Sequence, residues 1–253
     1  MHSIGKNRSI LGILGGLGPL SSAYFYELIT RHTEASRDQD HIDIILSSRA
    51  TTPDRTDFIL GRSDEDPVPY MVEDAQLLER YGADAIVIPC NTAHYFIDEV
   101  RRSVRVPVPS IITETAEHIK QSGRRRACIL ATEGTIKSGS YQNELDRLGI
   151  EWAIPDEAGQ RTVTDIIYGD VKRGEGLTPD RLFSVAEPMF AAGCDCAILG
   201  CTELSVLKRC FPEDERFVDS LEALAYRAIT MFGHKPVGFT SDYSAHKSIG
   251  EKV

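Results

Sequence analysis

Cys90 and Cys201 stand in matching frames along the chain. Cys90 follows the apolar run Ala85-Ile86-Val87-Ile88 and precedes Asn91-Thr92, while Cys201 follows Cys196-Ala197-Ile198-Leu199 and precedes Thr202-Glu203. Each frame reads as the carboxyl end of a buried strand opening into a helix, where open α/β sheets bind their ligands. Amide N–H groups at a helix start favour a thiolate over a thiol, so both positions suit a reactive cysteine. Either one alone is read first as a structural residue, because cysteine is among the most buried types, and Cys128, Cys194, Cys196 and Cys210 keep that reading. Two in matching frames carry a sharper expectation: paired thiols on opposite faces of one carbon, one removing a proton and the other supplying one. Inversion of a centre α to a carboxylate needs that arrangement, since one group does not easily reach both faces.

Groups that could hold a small acid lie in comparable places. The segment Gly12-Ile13-Leu14-Gly15-Gly16-Leu17-Gly18-Pro19 follows a strand and opens a helix. Gly16-x-Gly18-x-x-Ser21 lacks the third glycine of a dinucleotide fingerprint, and the next strand runs out into Ser47-Ser48-Arg49 rather than an acid. A turn whose amides bind a carboxylate fits better, and tight-turn geometry needs glycine in either case. Arg55, in a polar loop after the second strand, could grip a carboxylate with two donors, although a loop arginine is usually only solvated. Lys172 falls near a helix end, where the helix dipole already favours a cation. His94, four residues after Cys90, is a lesser candidate for a Cys-His pair, because on a helix starting at Asn91 it points away from the strand end. Cys194-x-Cys196-x4-Cys201 is a poor match to zinc-ligand spacing, having no C-x2-C pair.

The elements that must position these groups follow from the apolar pattern. Strands are expected at 10–14, 42–46, 85–88 and 127–131 and before Cys201; helices at 21–34, 71–81, 113–120, 138–148, 162–173 and 179–192. Strands alternating with helices imply right-handed βαβ units and a parallel sheet covered by helices. The halves repeat: Leu14-x-x-x-Gly18 falls against Leu130-x-x-x-Gly134, each between a strand and a helix, much as Cys90 falls against Cys201. The expected architecture is α/β, two pseudo-symmetric domains, each a parallel β-sheet flanked by helices, with the site in the cleft between them. The first domain is placed at 1–114, with 216–253 packing back on it, and the second at 115–215. The join falls near Pro107-Val108-Pro109, and the 238–253 tail is polar and aperiodic.

Composition narrows the partners. A formal net charge of −10 argues against non-specific binding to nucleic acid or anionic membranes, which depends on excess Lys and Arg. The N-terminal MHSIGKNRSILGILGG is broken by Gly12, Gly15 and Gly16 too early for a secretory signal, and no apolar run approaches a membrane span. A cytoplasmic protein is expected, its six cysteines free thiols.

The segments GILGGLGP, PDRT, IPCNTAH, ATEGTIKSGSY and LGCTELS, in this order across almost the whole chain, resemble the cofactor-independent aspartate racemase family of the aspartate/glutamate racemase superfamily. The resemblance implies a homodimeric amino-acid racemase acting on L- and D-aspartate or another acidic amino acid, with no pyridoxal phosphate and no metal. It makes Cys90 and Cys201 the acid/base thiols, and Asn91, Thr92, Thr202 and Glu203 neighbours that hold substrate, alongside Gly16 and Gly18 of the glycine turn. Arg55 matches the substrate-binding arginine, Lys172 the cation facing the side-chain carboxylate, and Thr132 and Thr135 a loop of the second domain. Leu17, Leu20 and the Arg49-Ala50-Thr51-Thr52 stretch depart from the family pattern, which bears on the substrate's side chain. Glutamate racemases proper are less similar, since their Asp-Ser-Gly opening after the first strand is absent. The rival readings are a dicarboxylate isomerase or decarboxylase of the same superfamily, an oxidoreductase that turns Arg49 toward a nicotinamide dinucleotide phosphate, and a non-enzymatic binder of small acids.

Overall fold

Seven strands form two parallel sheets in a computed structural model that describes residues 9–239. The strands are β1 (Ile10–Gly15), β2 (Asp43–Ser48), β3 (Ala85–Val87), β4 (Arg126–Ala131), β5 (Glu151–Ala153), β6 (Cys196–Gly200) and β7 (Phe217–Asp219). The first sheet has the order β2-β1-β3 and the second β5-β4-β6-β7. β1, β3, β4 and β6 are apolar with almost every residue buried, as parallel strands covered on both faces must be.

The repeat read from the sequence is visible in the register. Leu11 pairs with Ala85 in the first sheet and Ala127 with Cys196 in the second, so β1 and β3 correspond to β4 and β6. The fourth strand also has a counterpart. Ala197 N–H donates to Arg216 O beside β7, and Ile86 N–H donates to Pro107 O at the matching place in the first half. Pro107 and Pro109 have no N–H to return, so this segment stays a single contact rather than a ladder.

Helices Ile111–Gln121 and Ser220–Met231 pack against each other, and Ser220–Met231 also packs on Pro19–His32. Leu11 and Ile13 of the first sheet share one apolar cluster with Ile129 and Ile198 of the second, through Ile112, Ile119, Leu221 and Leu224 of these helices. The sheets are therefore joined by a common core, each fully buried aliphatic side chain contributing about 1.5–3 kcal/mol relative to exposure.

Several expectations change. The helix expected at 138–148 begins at Ser140 and runs to Leu148, and a short helix that was not expected, Glu133–Ser138, precedes it across Gly139. The one expected at 162–173 is an α-helix, Glu157–Asp165, running into a π-helical stretch, Ile166–Lys172. Chain 216–253 does not pack wholly on the first domain: Phe217–Asp219 is a strand of the second sheet, while the helix after it packs on Pro19–His32 and Val237 and Phe239 pack on His32. The boundary placed after residue 114 falls inside helix Ile111–Gln121. Of the 238–253 tail, residues 240–253 lie outside the described residues.

Candidate active site

β3 is followed by Ile88-Pro89, and the chain turns at Cys90 into a short 3-10 helix, Thr92–Phe96, not an α-helix from Asn91. His94 fastens this turn. Its Nδ1 lies 2.8 Å from Cys90 O and its Nε2 accepts from Ile111 N–H at 3.0 Å, so Nδ1 carries the proton and donates to the carbonyl. Burial holds its pKa down at about 4, and the ring is neutral. The Cys-His pairing is thus not made: His94 holds the Cys90 backbone and touches no thiol.

Asn91 and Thr92 reach across to the second half. Asn91 Nδ2 donates to Ser220 Oγ at 3.0 Å and Oδ1 accepts from Tyr141 Oη at 2.6 Å, while Ser220 Oγ donates to Leu199 O at 2.7 Å. The Asn91 side chain is consumed in joining the β3 and β6 ends. Thr92, Thr132 and Thr135 hydroxyls form a triangle with sides of 2.9, 2.9 and 3.0 Å, in which each O–H can donate to the next. Thr132 also caps Glu133–Ser138 by accepting from Thr135 N–H.

The second half brings Cys201 to the same place. It sits extended after β6, preceding helix Thr202–Lys208, and its Sγ donates to Glu203 Oε2 at 3.0 Å. Thr202 Oγ1 makes a longer contact, 3.4 Å, with the same oxygen. Both cysteines line one chamber of about 10 Å³ with Leu17, Arg55, Thr92, Thr132 and Lys172 among its other walls. That is room for about one water, so an amino acid reaches the thiols only when the walls move apart. An outer pocket of about 500 Å³ adjoins it, lined by Gly16, Gly18, Leu20, Ala50 and Val171 and sharing Asp54, Arg55, Lys172 and Glu203.

Arg55 is buried under loops of the first half. Nη1 donates to Thr52 O and Pro53 O and Nη2 to Leu17 O, while the buried Nε has no hydrogen-bond partner. Of its five N–H donors this leaves Nε–H and one Nη2–H, the side-on fork that matches a carboxylate. Lys172 reaches in from an exposed position with Nζ 4.3 Å from the centroid of Tyr168. Desolvation works against its charge, but Glu203 and then Cys201 outweigh it and its pKa rises. Tyr168, missed in the sequence, is pushed up to about 12 by burial and stays protonated. Tyr168 and Lys172 both lie on the π-helical stretch Ile166–Lys172, a winding frequent at functional sites.

The thiols are not activated as their helix-start setting suggested. Burial pushes Cys90 up, with Arg55 pulling back and Glu203 adding to the rise. Cys201 is raised well above an ordinary thiol, first by burial and then by Glu203, against Lys172. Desolvation of the thiolate outweighs the few amides available to it.

The glycine turn is also corrected. Gly16 has φ +83 and needs to be glycine, but its N–H donates to Ser22 Oγ at 2.9 Å and is not free for a ligand. Gly18, with ordinary φ of −118, leaves room for Glu203: a Cβ there would stand 2.6 Å from Glu203 Oε1 and push the carboxylate aside. The carboxylate against this turn is therefore the protein's own. Arg49, the cation of the dinucleotide reading, is held at 2.7 Å by both Glu73 and Asp74. Asn91, Thr135 and Thr202 stand behind the chamber wall rather than on it. Among the described residues, no group of three or more His, Cys, Asp or Glu is arranged to hold a metal, and no helix is long and apolar enough to cross a membrane.

The chain is similar to known proteins over most of its length. Residues 14–228 match the Asp/Glu/hydantoin racemase family. The broad specificity amino-acid racemase RacX of Bacillus subtilis is 27% identical over 227 residues, 88% of this chain and 98% of that one. A glutamate racemase of Aquifex aeolicus is 34% identical over 169 residues, 65% of each chain. The structure of Picrophilus torridus aspartate racemase superposes with a TM-score of 0.78 at 31% identity, covering 90% of this chain and 96% of that one. With a family match over residues 14–228 and a fold of two parallel sheets shared with an aspartate racemase, this chain belongs to the Asp/Glu/hydantoin racemase family and is an isomerase, an amino-acid racemase.

Proposed function

We propose that the enzyme interconverts L- and D-aspartate, or a related acidic amino acid, by a two-base mechanism in which Cys90 and Cys201 face opposite sides of Cα. The observation that carries this reading is the meeting of both thiols at one chamber between the β3 and β6 ends. The Arg55 fork takes one carboxylate and Lys172, at the mouth, takes the other. In one direction the Cys90 thiolate removes the Cα proton and becomes a thiol. The C–H electron pair moves into the α-carboxylate, where Arg55 and the Thr92 and Thr132 hydroxyls stabilise the enolate-like charge. The Cys201 S–H then protonates the opposite face and is left as the thiolate, and the reverse direction exchanges the roles. The similarity to an aspartate racemase and the two cations support the acidic substrate. We further propose a homodimer working in the cytoplasm.

The test is incubation of the purified protein with L-aspartate in D2O under reducing conditions, following deuterium at Cα by NMR and enantiomer ratio by chiral chromatography. D-aspartate deuterated at Cα is the expected product. If aspartate neither exchanges nor inverts while a neutral amino acid does, the acidic substrate is wrong; if no amino acid exchanges, the two-base reading falls.

A further inference from the structure

Glu203 is placed unlike any other acid among the described residues. It is 4% exposed, it accepts the Cys201 S–H at 3.0 Å, and it lines both the narrow chamber and the larger outer pocket. Asp54, Arg55 and Lys172 share that double position. The Arg55 guanidinium has N–H donors and no acceptor for a proton, and Asp54 spends an oxygen capping helix Arg55–Ile59. Glu203 is thus the titratable group that touches a catalytic thiol on one side and reaches solvent-filled space on the other. The fold reserves room for it at Gly18, whose backbone conformation suits any residue and whose missing Cβ leaves space for Oε1.

We infer that Glu203 carries the Cys201 proton between the narrow chamber and solvent and holds it on sulfur in the resting enzyme. The inference rests on the two-thiol reading above. After Cys201 has given its proton to Cα, the chamber contains a Cys201 thiolate and a Cys90 thiol, the reverse of the pair with which the turnover began. Glu203 takes a proton from water in the outer pocket and passes it on, its O–H breaking as the S–H forms and its carboxylate being regenerated, while Cys90 loses the proton taken from Cα to water, so one proton enters and one leaves. With Glu203 ionised its negative charge disfavours a second charge on Cys201, while Arg55 stabilises one on Cys90, so the resting proton lies on Cys201. Lys172 and Cys90 also face Cys201, and Tyr141 and Tyr168 lie within its field. Both tyrosines are protonated, so Lys172 is the cation that opposes Glu203.

Two measurements test this. In a Cys90→Ala background, with the other thiols followed by mass spectrometry, the pH midpoint of Cys201 alkylation by iodoacetamide should fall by about one unit on Glu203→Gln. That is a roughly tenfold gain in reactivity below the midpoint. Gly18→Ala, which pushes the carboxylate aside without removing it, should shift the midpoint in the same direction, and Lys172→Met in the opposite one. An unchanged midpoint in Glu203→Gln overturns the inference. In the enzyme with both cysteines, Glu203→Gln should slow α-proton exchange with D2O at least tenfold more for the enantiomer deprotonated by Cys201 than for the other, and Glu203→Asp should restore part of it. Equal slowing of both enantiomers would leave Glu203 a structural residue and also overturn the proposal. The alkylation midpoint needs no turnover, so its failure is distinguishable from a wild-type enzyme that exchanges no amino acid.

Discussion

His94 makes acid sensitivity a calculable property of the fold around the first thiol. Its ring is ordinarily half-protonated at pH 6.5 and in the folded protein at about 4, because burial opposes the charge and Nε2 must stay unprotonated to accept from Ile111 N–H. The folded-state pKa is depressed, so between these values the unfolded chain binds more protons and stability falls as pH falls. One pH unit corresponds to 1.36 kcal/mol, so lowering pH from 7 to 5 should cost about 2 kcal/mol through this residue alone, and about 3 kcal/mol once pH is below 4. Other groups titrate over the same range, so the assay is a comparison: urea unfolding of wild type and His94→Gln at pH 7 and 5. The variant loses the bond to Cys90 O or Ile111 N–H and starts about 1 kcal/mol or more less stable at pH 7. It cannot take the proton, so the gap between the two proteins should close by about 2 kcal/mol at pH 5. An identical pH 7-to-5 loss in both proteins would refute the neutral, doubly bonded ring.

Cys90→Ala and Cys201→Ala should each abolish racemisation, and a single mutant should retain α-proton exchange from one enantiomer alone; racemisation at the wild-type rate in either would remove that thiol from the mechanism. Because both thiols are raised above the ordinary value and one must ionise, kcat/KM should climb about tenfold per unit from pH 7 toward 9. A flat profile over that range would contradict the thiolate base. Tyr141→Phe leaves the buried Asn91 Oδ1 without its 2.6 Å donor, and should lower stability by about 1–3 kcal/mol in urea unfolding. A loss below about 0.5 kcal/mol would show that this tie between the halves carries no weight.

The four central strands were legible because parallel strands buried on both faces must be continuous apolar runs, as Ile86-Val87 and Ala197-Ile198-Leu199 are. β5 and β7 were not, because three-residue strands such as Glu151–Ala153 and Phe217–Asp219 are too short to show a period and exist only through pairing with β4 and β6. The helix Glu133–Ser138 was not legible because six residues are too few to show a helical period, and Gly139 in the left-handed conformation separates it from Ser140–Leu148. Lys172 was legible as a cation near a helix end, but Tyr168 beside it was not, because the π-helical winding that brings both to the chamber leaves no mark on the spacing of apolar residues.

By itself the sequence determined the two strand-end cysteines, the repeated βα order behind them and the absence of a complete dinucleotide fingerprint, all of which depend on local residue order and burial pattern. The tertiary structure decided which groups face each other. It turned His94 from Cys90 Sγ to Cys90 O, used Asn91 to join the halves and left Arg55 with two free donors. It also set Glu203 of the second half between Cys201 and the Gly18 turn of the first. These are contacts between residues distant in the chain. Their geometry comes from how the two sheets share one core, and no spacing along a single strand or helix encodes it.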